Sequence, residues 1–68
     1  MDNAQRSKLL NKAVDLLNEA DALLQQAMGA CDECYVIHSN IENAADDIVD
    51  VIVNVDSKDF DFEKYYCA

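Results

Sequence analysis

Apolar residues recur with a period of seven along the first part of this chain. From Leu9 to Gly29 it reads LLNKAVD, LLNEADA, LLQQAMG, with Leu-Leu opening each block and Ala at the fifth place. Leu10, Ala13, Leu17, Ala20, Leu24 and Ala27 alternate at spacings of four and three, the a and d pattern of a helix packed on another helix. Leu9, Leu16 and Leu23 flank that row and widen the apolar face beyond a narrow coiled-coil stripe. Leu, Ala, Gln, Lys and Glu, all strong helix formers, dominate the segment. The pattern predicts a helix over about 3–28, with Gly29 where a C′ residue would end it. The three blocks read as heptads of one packing seam rather than as a working site.

A second row, Cys34, Ile37, Ile41, Ala44, Ile48, Val51 and Val55, keeps the same alternation of three and four, with Ala45 and Ile52 widening it. It predicts a second helix over about 32–53, antiparallel to the first across a short turn at Gly29–Cys31. Two alternatives compete. Ser39-Asn40-Ile41-Glu42 has the form of a capping box, which would start the helix at Asn40. Val49, Val51, Val53 and Val55 alternate as a strand would. The length of the row and its sustained heptad favour the helix. The tail from Asp56 carries Phe60, Phe62, Tyr65 and Tyr66. It predicts a short third helix capped by Asp56 or Ser57, or an extended segment, folded back over one end of the hairpin. The expected fold is thus a single all-α domain over 1–68. A helix of some 25 residues has an apolar face longer than one partner and a short tail can cover, and homodimerisation would bury the remainder.

Composition supports this reading and adds a charge. The 68 residues include no Pro and one Gly, as long helices require, and 51% are hydrophobic, too many for a disordered chain. Fourteen acids against five bases give a net charge of −9. Residues 1–30 are nearly balanced, with four acids and three bases, whereas residues 31–68 hold ten acids against Lys58 and Lys64. Direct binding to nucleic acid or to an anionic membrane needs basic charge, so the expected partner is a basic protein surface. No stretch is apolar and long enough to span a bilayer, and no signal peptide is visible. Three cysteines suit a reduced cytoplasmic setting better than a disulfide scaffold.

The candidate chemistry lies in the second half. Glu42, Asp46 and Asp50 fall at i, i+4 and i+8 with Asp47 beside them, and no Lys or Arg occurs between Lys12 and Lys58. Like charges at that spacing weaken a helix by a few tenths of a kcal/mol, about 0.2–0.5 per pair. The row reads as a carboxylate ladder imitating a nucleic-acid backbone, or as a solvated face that keeps the protein in solution. Asp56, Asp59, Asp61 and Glu63 extend the acidic surface and alternate with Phe60 and Phe62, a mixture suited to docking on basic protein, unless the aromatics are simply core. The carboxylates could suit calcium, but the EF-hand loop and its central Gly are absent. Cys31-Asp32-Glu33-Cys34 is a CxxC, and with His38 and Cys67 it has the chemistry of a zinc site. A lone CxxC is a weak signal, and the expectation is that both thiols pack at the turn, with no metal and no cofactor. His38 is the only histidine, and no triad or phosphate-cradling loop accompanies it, so catalysis is not expected.

In size, charge and the carboxylates Glu42, Asp46, Asp47, Asp50, Asp56, Asp59, Asp61 and Glu63, the chain resembles the small acidic DNA-mimic proteins of phages and mobile elements, including anti-CRISPR and anti-restriction proteins. These share no single fold, so no residue role transfers. The resemblance implies a target class: a CRISPR effector complex, a nuclease or another nucleic-acid-binding protein, inhibited in the host cytoplasm. A second resemblance is architectural, to the small hairpins of plasmid copy-number regulators that dimerise into four-helix bundles. It implies an oligomerisation or adaptor module acting through the Leu/Ala face. The RNA binding of that type does not fit a charge of −9.

Overall fold

The computed structural model describes residues 1–57 and 59–66 of the chain. It is an all-α hairpin of α1 (Asn3–Met28) and α2 (Asp32–Val55), completed by a single-turn helix α3 (Phe62–Tyr66). No strand occurs among the described residues.

Local chemistry sets each boundary. Asp2 caps α1, its carboxylate accepting from the Gln5 N–H at 2.8 Å. At the other end the Gly29 N–H donates to Gln25 O at 3.0 Å. Gly29 has φ 67° and ψ −160°, a region essentially restricted to glycine, where a side chain would cost about 1–3 kcal/mol. That backbone, with Ala30 and Cys31, reverses the chain in three residues. Cys31 then caps α2, its Sγ accepting from the Cys34 N–H at 3.3 Å, and Asp32 and Glu33 face the positive end of the helix dipole. This cap begins the helix eight residues before the competing box at Ser39-Asn40, which lies mid-helix.

The packed rows differ in phase from the pattern expected. On α2 the buried residues are Cys34, Ala45, Ile52 and Val55, with Ile41 and Ile48 half-buried between them. The row is centred on Ala45 and Ile52, while Ala44 is exposed and Val51 only half-buried. The valines that alternate in sequence scatter around the helix: Val49 and Val53 are exposed and Val55 is 2% exposed. On α1, Leu10, Ala13, Leu17 and Leu24 face inward, but the position between Leu17 and Leu24 goes to Asp21, and Ala20 and Ala27 are exposed. No residue of α1 is fully buried. One antiparallel neighbour covers a single seam of a helix that has two.

The tail returns to the open end of the hairpin. The Asn3 amide donates to Phe60 O at 2.7 Å, and the Asn54 amide donates to the Tyr66 hydroxyl at 2.9 Å, tying the tail to both long helices. Asp61, rather than Asp56 or Ser57, caps α3, its carboxylate accepting from the Lys64 N–H at 3.2 Å. Asp59 turns the chain with φ 64°, a conformation that Asp tolerates better than most residues.

Candidate protein-interaction site

Successive residues on a helix are about 100° apart, so Glu42, Asp46, Asp50 and Asp47 fan over an arc of about 140° on α2. All four are exposed. Among the described residues no ion pair involves Asp46, Asp47 or Asp50. Their charge is therefore presented to solvent along the middle of α2.

Glu42 has a partner within the hairpin. His38 Nδ1 lies 2.8 Å from Asp21 Oδ2, and its Nε2 lies 3.4 Å from Glu42 Oε2. The Nδ1–H donates to Asp21, which also accepts from the Gln25 amide at 3.0 Å. This hydrogen bond ties His38 on α2 to Asp21 on α1 and fixes the register of the two helices on this side. The contact identifies the flank: Asp21, His38 and Glu42 share it, and at 100° per residue Asp46 follows them round α2.

Three apolar residues belong to the same edge of α2 and were not read from the sequence as interaction residues: Tyr35, 72% exposed, with Val49 and Val53 also exposed. Their signal was their spacing from the core row. Tyr35, Glu42, Val49 and Val53 recur at sevens and fours, one step round from Cys34, Ile41, Ile48 and Ile52. The edge therefore interleaves carboxylates with apolar side chains.

The tail residues have other engagements. The Arg6 guanidinium sits 4.1 Å above the Phe62 ring and binds Glu63 Oε1 at 2.8 Å. Phe60 and Phe62 are half-buried in a cluster with Tyr65 and Tyr66, ring centroids 4.8–6.0 Å apart. The aromatic side chains that this cluster leaves exposed are Tyr65 and Tyr66. Asp56 and Asp59 are exposed, Asp61 serves as a cap, and Glu63 is neutralised by Arg6. Replacing Arg6 with Ala is expected to release the tail, since a partly desolvated cation–π contact is worth about 0.5–2 kcal/mol. Amide exchange of residues 59–66 should accelerate while that of α1 and α2 does not. Unchanged tail protection would show that the aromatic cluster holds by itself.

The thiols Cys31 and Cys34 are free, the first engaged as a cap and the second buried. His38 points to carboxylates. Cys67, the remaining member of the candidate zinc set, lies outside the described residues. Among the described residues no group of three or more His, Cys, Asp or Glu side chains is placed to hold a metal ion. Gln25, Cys31, Tyr35 and His38 line an open depression at the turn. No helix among the described residues is long and apolar enough to cross a membrane.

Fold and surface together define a two-helix hairpin with an aromatic clasp at one end and an acidic-apolar edge along α2. In comparisons with family models, with curated proteins and with solved structures, the chain finds no match.

Proposed function

We propose that this protein is a non-enzymatic inhibitor that acts in the cytoplasm, using the acidic edge of α2 to occupy the basic nucleic-acid-binding site of a protein such as a CRISPR effector complex or a nuclease. The observation that carries this reading is the exposed row Glu42, Asp46, Asp47 and Asp50, in which Asp46, Asp47 and Asp50 form no ion pair among the described residues. Glu42, Asp46 and Asp50 stand about 6 Å apart along the helix axis, with Asp47 about 1.5 Å beyond Asp46, so the charge repeats along one side of a straight rod as it does along a nucleic-acid strand. A rigid helix holds that spacing in advance, so little ordering entropy opposes docking. Tyr35, Val49 and Val53 beside the row supply the apolar contact that separates a docking face from a merely solvated one. Asp56, Asp59 and the exposed tyrosines of the clasp continue the surface, while half-buried Phe60 and Phe62, the Asp61 cap and the Glu63–Arg6 ion pair hold the clasp in place.

The test is capture of partners on the immobilised chain from nuclease-treated host lysate. The expected partner is a basic nucleic-acid-binding protein, eluted by salt and displaced by a short DNA or RNA duplex. Charge-steered binding should weaken by at least about tenfold between low and physiological ionic strength. A partner that still binds nucleic acid when saturated with this protein would overturn the reading. An oligomerisation role for the Leu/Ala face concerns a different surface and does not compete with this one.

A further inference from the structure

Each heptad of α1 begins with two leucines, and the hairpin uses one of them. Leu10, Leu17 and Leu24 pack toward α2, whereas Leu9, Leu16 and Leu23 remain 54%, 55% and 58% exposed. With exposed Ala20 and Ala27, and with half-buried Ala13 shared at the margin of the inner face, they form a second seam at alternating spacings of four and three, about 100° round α1 from the first. A repeat of seven sustained over three heptads is the pattern for pairing with another helix, and a lone solvated face has no use for it. The small alanines would let that helix approach to the short end of the usual 8–10 Å separation.

Two global quantities describe an elongated chain with surface to spare for a partner. The accessible surface is 5124 Å² for a 7.6 kDa chain, about 800 Å² more than the ~4300 Å² of a compact monomer of that mass. That excess is about what each partner buries in an interface of standard size, ~800 Å². The radius of gyration is 14.8 Å, against about 11 Å for a compact domain of this length.

Charge selects the occupant. Gln5, Lys12, Glu19 and Gln26 edge the leucine row at intervals of seven, so Lys12 and Glu19 stand one heptad apart with opposite signs. A two-fold antiparallel pairing of α1 with α1 sets Lys12 of each copy against Glu19 of the other, twice over, whereas an in-register parallel pairing turns the two copies' Lys12–Glu19 edges to opposite sides of the seam and forms neither pair. Asp21, His38 and Glu42 mark the opposite side of the hairpin, so two chains of charge −9 meet here with their acidic edges turned apart. We infer that the Leu9, Leu16 and Leu23 row is the interface of an antiparallel homodimer, a four-helix assembly in which the two α2 acidic edges face outward. This inference does not rest on the inhibitor reading, because the two use different faces.

The test is the mass of the full chain by sedimentation equilibrium across a concentration series. The expected mass is twice 7.6 kDa. Leu16→Glu is expected to give a monomer of unchanged helical content, since Leu16 makes no part of the monomer core. Lys12→Glu should raise the dimer dissociation constant about tenfold by creating two like-charge contacts, and adding Glu19→Lys should restore it. A single-chain mass at every concentration would overturn the inference. So would a dimer indifferent to Leu16→Glu, or a double variant that associates no better than Lys12→Glu.

Discussion

Reversing Asp46, Asp47 and Asp50 to Lys together is expected to abolish inhibition of a nucleic-acid-binding target while leaving the hairpin folded. All three side chains are exposed, and among the described residues none forms an ion pair, so the fold loses no contact with them. Within α2 the change converts the Glu42–Asp46 repulsion into an attractive i,i+4 pair and leaves the pair at 46 and 50 alike in sign, for a net effect within about 0.5 kcal/mol. In a complex the outcome differs. Three lysines against a basic channel place like charges together at a cost of several kcal/mol, and every 1.4 kcal/mol is tenfold in affinity, so the loss should exceed about a thousandfold. The readout is competition against labelled nucleic acid, with circular dichroism as the folding control. Full potency in a folded triple variant would remove the acidic edge from the mechanism.

Truncating Ile52 to Ala is expected to bring the protein close to unfolding. Ile52 is 9% exposed and belongs to the α2 row that packs on α1 beside Val55, the most buried residue. Losing three buried carbons from such a site costs about 2–5 kcal/mol. A domain of this length has roughly 3–10 kcal/mol in total, taking ~0.05–0.15 kcal/mol per residue. The melting temperature should fall by about 10–25 °C. Val53→Ala, one position along but 62% exposed, should change stability by no more than about 0.5 kcal/mol. If the two variants melt together, the assignment of the buried row is wrong.

These predictions depend on a distinction that the sequence expressed only partly. Periodicity located both long helices, the turn and the fold class, because seven-residue spacing of Leu and Ala admits few other structures. It did not decide which of two adjacent rows faces inward. On α1 both Leu10-Leu17-Leu24 and Leu9-Leu16-Leu23 satisfy the pattern. On α2 Ala44 and Val51 compete with Ala45 and Ile52 at equal hydrophobicity. A one-residue step around a helix is about 100°, so that ambiguity moves a residue from core to surface. Asp21 and His38 show the consequence. Each stands at a core spacing, Leu17-Asp21-Leu24 and Cys34-His38-Ile41, and a reading restricted to apolar residues passes over both. Their 2.8 Å contact satisfies two polar groups at once, which is why the seam tolerates them. The candidate acidic residues were legible because charge needs no partner to be counted. Which of them stay unneutralised was not legible, since Glu63 meets Arg6 across 57 positions of sequence.

What the sequence determined by itself is local and compositional. Helix-forming residues without Pro, a heptad repeat of Leu and Ala, a glycine at the reversal and an excess of acids after residue 30 required an acidic helical hairpin whatever its detailed packing. The tertiary structure alone decided the phase of the two seams, the return of the tail onto Arg6, and the separation of an acidic edge from an uncovered leucine row. Each of these depends on a contact between residues far apart in the chain, and the energy of such a contact exists only once the helices have been brought together.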